Sequence, residues 1–273
     1  MKNILIFSPN RYSLYSIAVT ELLRRRGIRV QAIVIRRMVN PARFLSEFRR
    51  DGTRLLRKVW RKLLLRERAY STQHFETLSG LMSRESISQR SLYDFNSQFG
   101  IPVISCWTLN DIAVVDALEE LKPDLIVFTG GGLIRGQVLA RAGKGILNCH
   151  TGILPEYRGM DVVEWALLEA RPDLVGVTVH CMDARVDTGD ILRTRRVEAG
   201  QYASIRQLRD RLDAIMCEEL VATCCDFLDD HLIRKPQRPE DGRQYFVMHP
   251  RLIRLAEEKF QVTKNERGLW SIR

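Results

Sequence analysis

The sequence predicts a Rossmann-like α/β fold. Its core is a mostly parallel, twisted sheet with helices on both faces, interrupted by a helical insert and followed by a short C-terminal extension. Three observations predict it. Apolar runs of strand length recur at residues 2–7, 30–35, 101–105, 124–129, 145–150 and 175–182. Stretches with helical spacing lie between most of them, and turn formers separate the two kinds. The 273 residues are 45% hydrophobic and 28% charged, enough for a sizeable core.

Residues 2–7 read as a buried strand closed by Ser8-Pro9-Asn10. Residues 13–26 place Ile17, Thr20, Leu22 and Leu23 at helical spacing and stop at Gly27. A strand at 30–35 completes a β-α-β unit, for which a right-handed parallel crossover is the rule. The turn after the first strand lacks G-x-G-x-x-G, so a dinucleotide site loses its main support. The rhythm breaks from residue 38 to about 100 and resumes with the strand at 101–105, a helix at 111–121 and a strand at 124–129. That strand runs into Gly130-Gly131-Gly132, where a ligand or another segment can approach the backbone closely. A short helix at 137–142 and a strand at 145–150 follow. Next come a helix at 160–170, a strand at 175–182 and a tight turn at 187–192 that enters another strand. Ser204 starts a long helix, with Gln207 completing a capping box. From residue 235 the pattern weakens into a tail holding Pro236, Pro239 and Pro250. The expected division is an α/β domain at 1–232, including the insert at about 38–100, and an extension at 233–273.

Of the net charge of +10, +9 lies between Arg36 and Arg68. The remainder is nearly neutral, which does not favour a nucleic-acid-wrapping protein. Residues 53–66 spell an amphipathic helix. Arg54, Lys58, Arg61 and Lys62 fall on one side, and Leu55, Leu56, Val59, Trp60 and Leu63 on the other. It reads as a surface helix with a solvated basic side; an anionic partner is the sharper alternative. No run of about 18 apolar residues exists, so no spanning helix is expected. The N-terminus reads as a strand, not an export signal. The six cysteines, without CxxC spacing, are therefore expected to be reduced thiols of a cytoplasmic protein.

Open α/β sheets bind ligands at the carboxyl ends of their strands. Asn148 and His150 lie at such an end and, two residues apart, share a strand face. The next strand ends in His180 and Asp183, with Asp187 in the loop beyond. An imidazole moves protons near neutral pH, a carboxylate beside it favours the imidazolium, and an amide donates to an oxygen gaining negative charge. That set suits attack of a neutral amine on a carbonyl. A lone strand-end His is more often structural and a lone D-x-G is usually a turn, so the argument rests on their combination. Metal ligation by Cys149-His150 and His180-Cys181 is not expected, because alternation sends Cys and His to opposite faces.

Four ordered blocks carry a resemblance: Asn148-x-His150, Leu154-Pro155-x-Tyr157-Arg158-Gly159, Gly176-x-Thr178-Val179-His180 and Asp187-x-Gly189-x-Ile191. Together they resemble the formyltransferase family that uses 10-formyltetrahydrofolate, which includes glycinamide ribonucleotide, methionyl-tRNA and nucleotide-sugar enzymes. The resemblance is specific over about residues 123–197, diffuse over 1–35 and 101–122, and absent from the insert. It implies that Asn148 stabilises the oxyanion, that His150 is the general acid/base or electrostatic stabiliser, and that Asp187 orients His150 and a water and helps remove the amine proton. It also implies a pterin site at Gly130, Leu133, Ile134 and Arg135, through backbone groups, closed from the other side by Asp183, Ala184 and Val186. His180 matches a family position near the site. Three departures stand out: Gly152 replaces a frequent Ser, Gly131 and Gly132 replace bulkier residues, and the phosphate-gripping first loop of the glycinamide ribonucleotide enzymes is missing.

The expected function is therefore N-formyl transfer from 10-formyltetrahydrofolate to a primary amine, with no metal. The resemblance leaves an amino sugar on a nucleotide, or another small amine, as the favoured acceptor. The extra domains of its methionyl-tRNA, bifunctional and hydrolytic members find no counterpart in the pattern read here. Hydrolysis of the formyl donor and a non-catalytic adaptor working through the basic insert are the alternatives. A homodimer is left open.

Overall fold

The run Ile4-Leu5-Ile6-Phe7 is buried on both faces, as an interior strand of a covered sheet must be. In a computed structural model describing residues 2–37 and 76–266, it forms β1 (Asn3–Ser8), followed by α1 (Leu14–Arg25) and β2 (Arg29–Arg36). The Ser13 hydroxyl caps α1 by accepting from the Ser16 N–H at 3.2 Å. The expected basic helix at 53–66 lies outside the described residues. Two short helices, α2 (Leu78–Arg84) and α3 (Asp94–Phe99), precede β3 (Val103–Cys106), α4 (Ile112–Leu121) and β4 (Leu125–Phe128). Then come α5 (Gly136–Leu139), β5 (Ile146–His150), β6 (Tyr157–Gly159), α6 (Val162–Leu168), β7 (Gly176–Cys181) and β8 (Ile191–Arg196). The chain closes with α7 (Ile205–Leu228), β9 (Arg243–Tyr245) and α8 (Pro250–Glu266).

The main sheet has the order β3-β2-β1-β4-β5-β7-β8. Its first five strands are parallel, while β7 and β8 are antiparallel to their neighbours. Strand alternation builds two cores. Ile4 and Ile6 pack with Ile17, Leu23, Leu212 and Leu220 of α1 and α7, and Leu5 and Phe7 pack with Val114, Leu118 and Val138 of α4 and α5. Helices therefore cover both faces, as expected.

The differences from expectation have local causes. The helix expected at 137–142 is a single turn at Gly136–Leu139. The Gln207 side chain accepts from Ala203 N–H rather than Ser204 N–H, so only the Ser204 half of the capping box forms. Through residue 266 the tail is structured and folds back on the domain. Ile191 and Lys235 exchange backbone hydrogen bonds, β9 pairs with β6 in parallel, and Ala256 and Phe260 of α8 are buried in the core. Pro250 opens α8 at the first helical position, where a missing N–H costs nothing.

Candidate active site

The strand order reverses between β1 and β4, and in open α/β sheets the crevice outside the carboxyl ends at such a point is where ligands bind. Here the two strand ends are tied by a buried hydroxyl chain. Ser8 Oγ donates to Ser16 Oγ at 2.7 Å, Ser16 and Thr129 hydroxyls lie 2.7 Å apart, and Thr129 Oγ1 donates to the Phe7 carbonyl at 2.7 Å. Every member of the chain has a partner, so burial costs little and the crevice floor is rigid.

Next to it, β5 carries Asn148 and His150. Because β7 runs antiparallel to β5, His180 does not arrive at a shared carboxyl end; it sits directly opposite Asn148 in the cross-strand register. The His180 Nδ1–H donates to the Cys181 carbonyl at 3.0 Å, which leaves Nε2 to accept from the Asn148 amide at 3.1 Å. Burial pushes the His180 imidazole down from its usual 6.5 to about 4, against the pull of Asp187. A neutral His180 thus fixes which way the Asn148 carboxamide points, and one amide N–H of Asn148 stays available.

Asp187 returns over this pair from the loop between β7 and β8. Its Oδ1 is 3.6 Å from His180 Nε2 and its Oδ2 is 3.5 Å from His150 Nδ1. The structure brings Asn148, His180, Asp187 and His150 into one continuous cluster. His150 Nε2–H donates to the Tyr157 carbonyl at 2.8 Å, which leaves Nδ1 as the nitrogen that faces the carboxylate. Asp187, 14% exposed, is the more accessible of that pair; the His150 side chain is 7% exposed. Asp187 holds a left-handed backbone with φ 53°, a conformation Asp tolerates better than most residues.

Backbone groups of β6 complete the frame. The Tyr157 carbonyl holds His150, and the Gly159 N–H donates to Asp187 Oδ2 at 2.9 Å. Between them the buried Arg158 guanidinium donates to the Gln237 Oε1 and to the Arg238 carbonyl. Thr178 donates to the Gly152 carbonyl and accepts from Leu154 N–H, clamping the loop after His150. Gly152 is required by space. A Cβ there would lie 2.8 Å from His150 Nε2, 2.8 Å from Val162 Cγ2 and 3.0 Å from the Tyr157 carbonyl.

The residues expected to hold a pterin are differently engaged. Gly130 and Gly131 admit this chain's own Pro9 and Leu109, where a Cβ would come within 3.3 and 2.6 Å of those side chains. The Ile134 side chain is in the core and can offer only its backbone. Asn110 Nδ2 donates to the Leu133 carbonyl at 2.8 Å, and Asn110 Oδ1 accepts from Arg135 N–H at 2.6 Å. The backbone pair expected to face a pterin is thus held by a planar carboxamide of the same chain. The Asp183 carboxylate accepts from the Thr188 hydroxyl and from Arg185 N–H, so it shapes its own turn; Ala184 is exposed and Val186 half-buried. Cys149 and Cys181 are core residues whose thiols burial pushes up, Cys181 to about 11. A cavity of about 660 Å³ bordered by Leu118, Pro123, Arg141 and Lys144 lies at the amino ends of β4 and β5, away from this chemistry.

The sequence reading missed Asn110, Gln237 and the backbone groups of β6. Backbone donors leave no side-chain signature. Arg158 stood in a quoted block without a role; its burial, which calls for carbonyl and amide partners, is visible only in the fold.

The chain matches the family model described as formyl transferase over residues 86–223. It belongs to that family. A methionyl-tRNA formyltransferase of Finegoldia magna is 30% identical over 191 residues, 68% of this chain and 61% of that protein. One of Alkaliphilus oremlandii is 33% identical over 132 residues, 48% of this chain and 41% of that protein. The matches thus span under two thirds of these relatives' length. The fold is shared with a glycinamide ribonucleotide transformylase of Symbiobacterium toebii, at TM-score 0.56 and 18% identity over 87% of this chain and 95% of that one. It is also shared with a sugar N-formyltransferase of Shewanella sp FDAARGOS_354, at TM-score 0.58 and 14% identity over 95% and 88%.

Proposed function

We propose that this chain transfers a formyl group from 10-formyltetrahydrofolate to the neutral primary amine of an amino sugar carried on a nucleotide, or of another small amine. The observation that carries the reading is the cluster of Asn148, His180, Asp187 and His150 at the carboxyl end of β5. Family membership supports it.

One backbone edge fits the donor once the Asn110 carboxamide yields it. The Leu133 carbonyl and Arg135 N–H form an acceptor and donor two residues apart, the pattern that pairs with a planar heterocyclic amide, and the Asn110 carboxamide reads that edge in the same way. Leu133 is exposed and can offer an apolar side to a ring. When bound, the donor supplies a formyl carbon already activated for attack by nitrogen. Across the reaction one C–N bond to N10 breaks, one C–N bond to the acceptor forms, and one proton passes from the amine to N10.

The chain's own groups divide the work. The free Asn148 N–H donates to the oxygen that gains negative charge, with His180 holding the amide in that orientation. Asp187 takes the amine proton, directly or through a water, and His150 Nδ1 shares it, since Nε2 is committed to Tyr157. Geometry favours the electrostatic role of His150 over direct contact with substrate.

A small acceptor is supported by the fold this chain shares with a sugar N-formyltransferase. Methionyl-tRNA is the second reading, favoured by the relatives at 30–33% identity. The test offers the purified chain 10-formyltetrahydrofolate with amino-sugar nucleotides, small amines or charged methionyl-tRNA, and follows release of tetrahydrofolate. Expected is turnover with the sugar nucleotides or small amines, lost by roughly a hundred-fold or more in Asp187→Asn. Equal release without any amine would make the chain a hydrolase, formylation of the tRNA alone would establish the second reading, and no turnover would leave a non-catalytic role.

A further inference from the structure

We propose that Gln237 is a positioning residue for Asp187, and that the segment around it belongs to the catalytic unit; the inference rests on the formyl-transfer reading for its consequence, not for its geometry. Gln237 Nε2–H donates to the Gly189 carbonyl at 2.5 Å and to the Asp187 carbonyl at 3.3 Å. Its Oε1 accepts from Arg158 Nε and Nη2 at 3.3 and 3.2 Å. One side-chain amide therefore ties the backbone of the Asp187 turn to the middle residue of β6. The two residues flanking Arg158 are the ones that hold His150 and the Asp187 carboxylate.

The turn needs such support. Asp187 has φ 53°, and its carboxylate receives one backbone hydrogen bond, from Gly159. The loop from Met182 to Asp190 is anchored at its ends, where Met182 N–H donates to the Ile146 carbonyl and the Asp190 carbonyl accepts from Cys181 N–H, and no strand pairing is seen for residues 183–189 among the described residues. Ile191 bonds to Lys235 on one side, and two residues later Gln237 reaches back to the carbonyls of residues 187 and 189. Arg158 is 3% exposed, and its guanidinium fixes the Gln237 amide so that the NH₂ end faces the turn. A buried cation on one side and two carbonyls on the other leave a single orientation in which every group is satisfied. A glutamate would match Arg158 but present oxygen to two carbonyls. A methionine would fill the space and satisfy neither.

Misplacing a reacting group by a fraction of an ångström costs turnover while substrate binding persists. Gln237→Met and Gln237→Glu are therefore expected to lower kcat about ten-fold with KM for the formyl donor within about two-fold. In an Asp187→Asn background the same Gln237 substitutions are expected to cost less than about two-fold more, because they act through a group already removed. Independently of any substrate, the Gly159 amide proton reports the Asp187 bond in ¹H–¹⁵N spectra, and its resonance is expected to move upfield in Gln237→Met. Losses that multiply across the double variant, or a Gly159 resonance that stays in place, overturn the proposal. If Gln237→Met does not fold, Gln237→Glu, which keeps the Arg158 contact, is read by the same criteria. If the wild-type chain turns over no donor, the formyl-transfer reading fails, while the Gly159 resonance still decides the role of Gln237.

Discussion

Acidification should destabilise this chain through His180, beyond what its paired carboxylates lose, and the size of this contribution follows from the surroundings of the ring. His180 is 1% exposed, and its ring accepts from Asn148 and donates to Cys181. In the unfolded chain an imidazole titrates near about 6.5. In the fold, burial holds it at about 4. Between those values the unfolded chain binds a proton that the folded chain refuses, so stability falls as pH drops from about 6.5 to about 4 and His180 contributes no further loss below that. By pH 4 the cost is about 3 kcal/mol, a large part of the ~5–15 kcal/mol that holds a domain together. Protonation has a local consequence as well. Nε2 would become a donor facing the Asn148 NH₂, and the amide would have to turn its oxygen toward the ring, withdrawing the N–H from the crevice. The assay is urea unfolding followed by tryptophan fluorescence at about pH 7 and about pH 4 in the wild type and in His180→Gln, which keeps a neutral acceptor. The wild type should lose about 3 kcal/mol more than the variant over this interval. Equal pH dependence in the two proteins would refute the reasoning.

Two further substitutions probe the frame. Gly152→Ser places a Cβ 2.8 Å from His150 Nε2 and from Val162 Cγ2; it should cost about 1–3 kcal/mol in urea unfolding and lower kcat, because His150 must leave the Tyr157 carbonyl. A variant as stable and active as the wild type would mean that the loop after His150 yields freely. Asn110→Ala frees the Leu133 carbonyl and Arg135 N–H, and KM for the formyl donor should fall roughly five-fold if the side chain competes for that edge. A rise in KM would instead make Asn110 a brace for the loop.

Much of the sheet was legible because its signals are local. The run from Ile4 to Phe7 is apolar on both faces, and a strand buried on both faces needs that pattern. Asn148 and His150 could be assigned to one cleft from strand alternation alone, and Asp187 joined them through the spacing of the quoted blocks. His180 was read beside Asn148 and does lie next to it, but the reason was incomplete. The reading assumed a shared strand end, whereas the antiparallel register sets it opposite Asn148. Strand direction is a property of the connection, and the connection from β5 to β7 through β6 and α6 carries no signal for it. The segment holding α8 was read as a tail with a weak pattern, although Leu252, Ala256 and Phe260 recur every four residues behind Pro250. Proline stops a helix from within and starts one from its first turn.

β6 shows why the rest could not be read. Three residues cannot hold a strand in water by themselves, and Tyr157-Arg158-Gly159 has no alternation to announce one. It becomes a strand because β9 supplies its partner, and Tyr245 seals the pair by stacking on Tyr157 at 5.0 Å while both hydroxyls donate to Glu169. Only once that pairing exists do the Tyr157 carbonyl and the Gly159 N–H stand where His150 and Asp187 need them. The residues of the candidate site are local in sequence, but their geometry is set by residues beyond position 235. A site of this kind shows its chemistry in short motifs, while the precision of that chemistry resides in a distant segment whose composition looks like a tail.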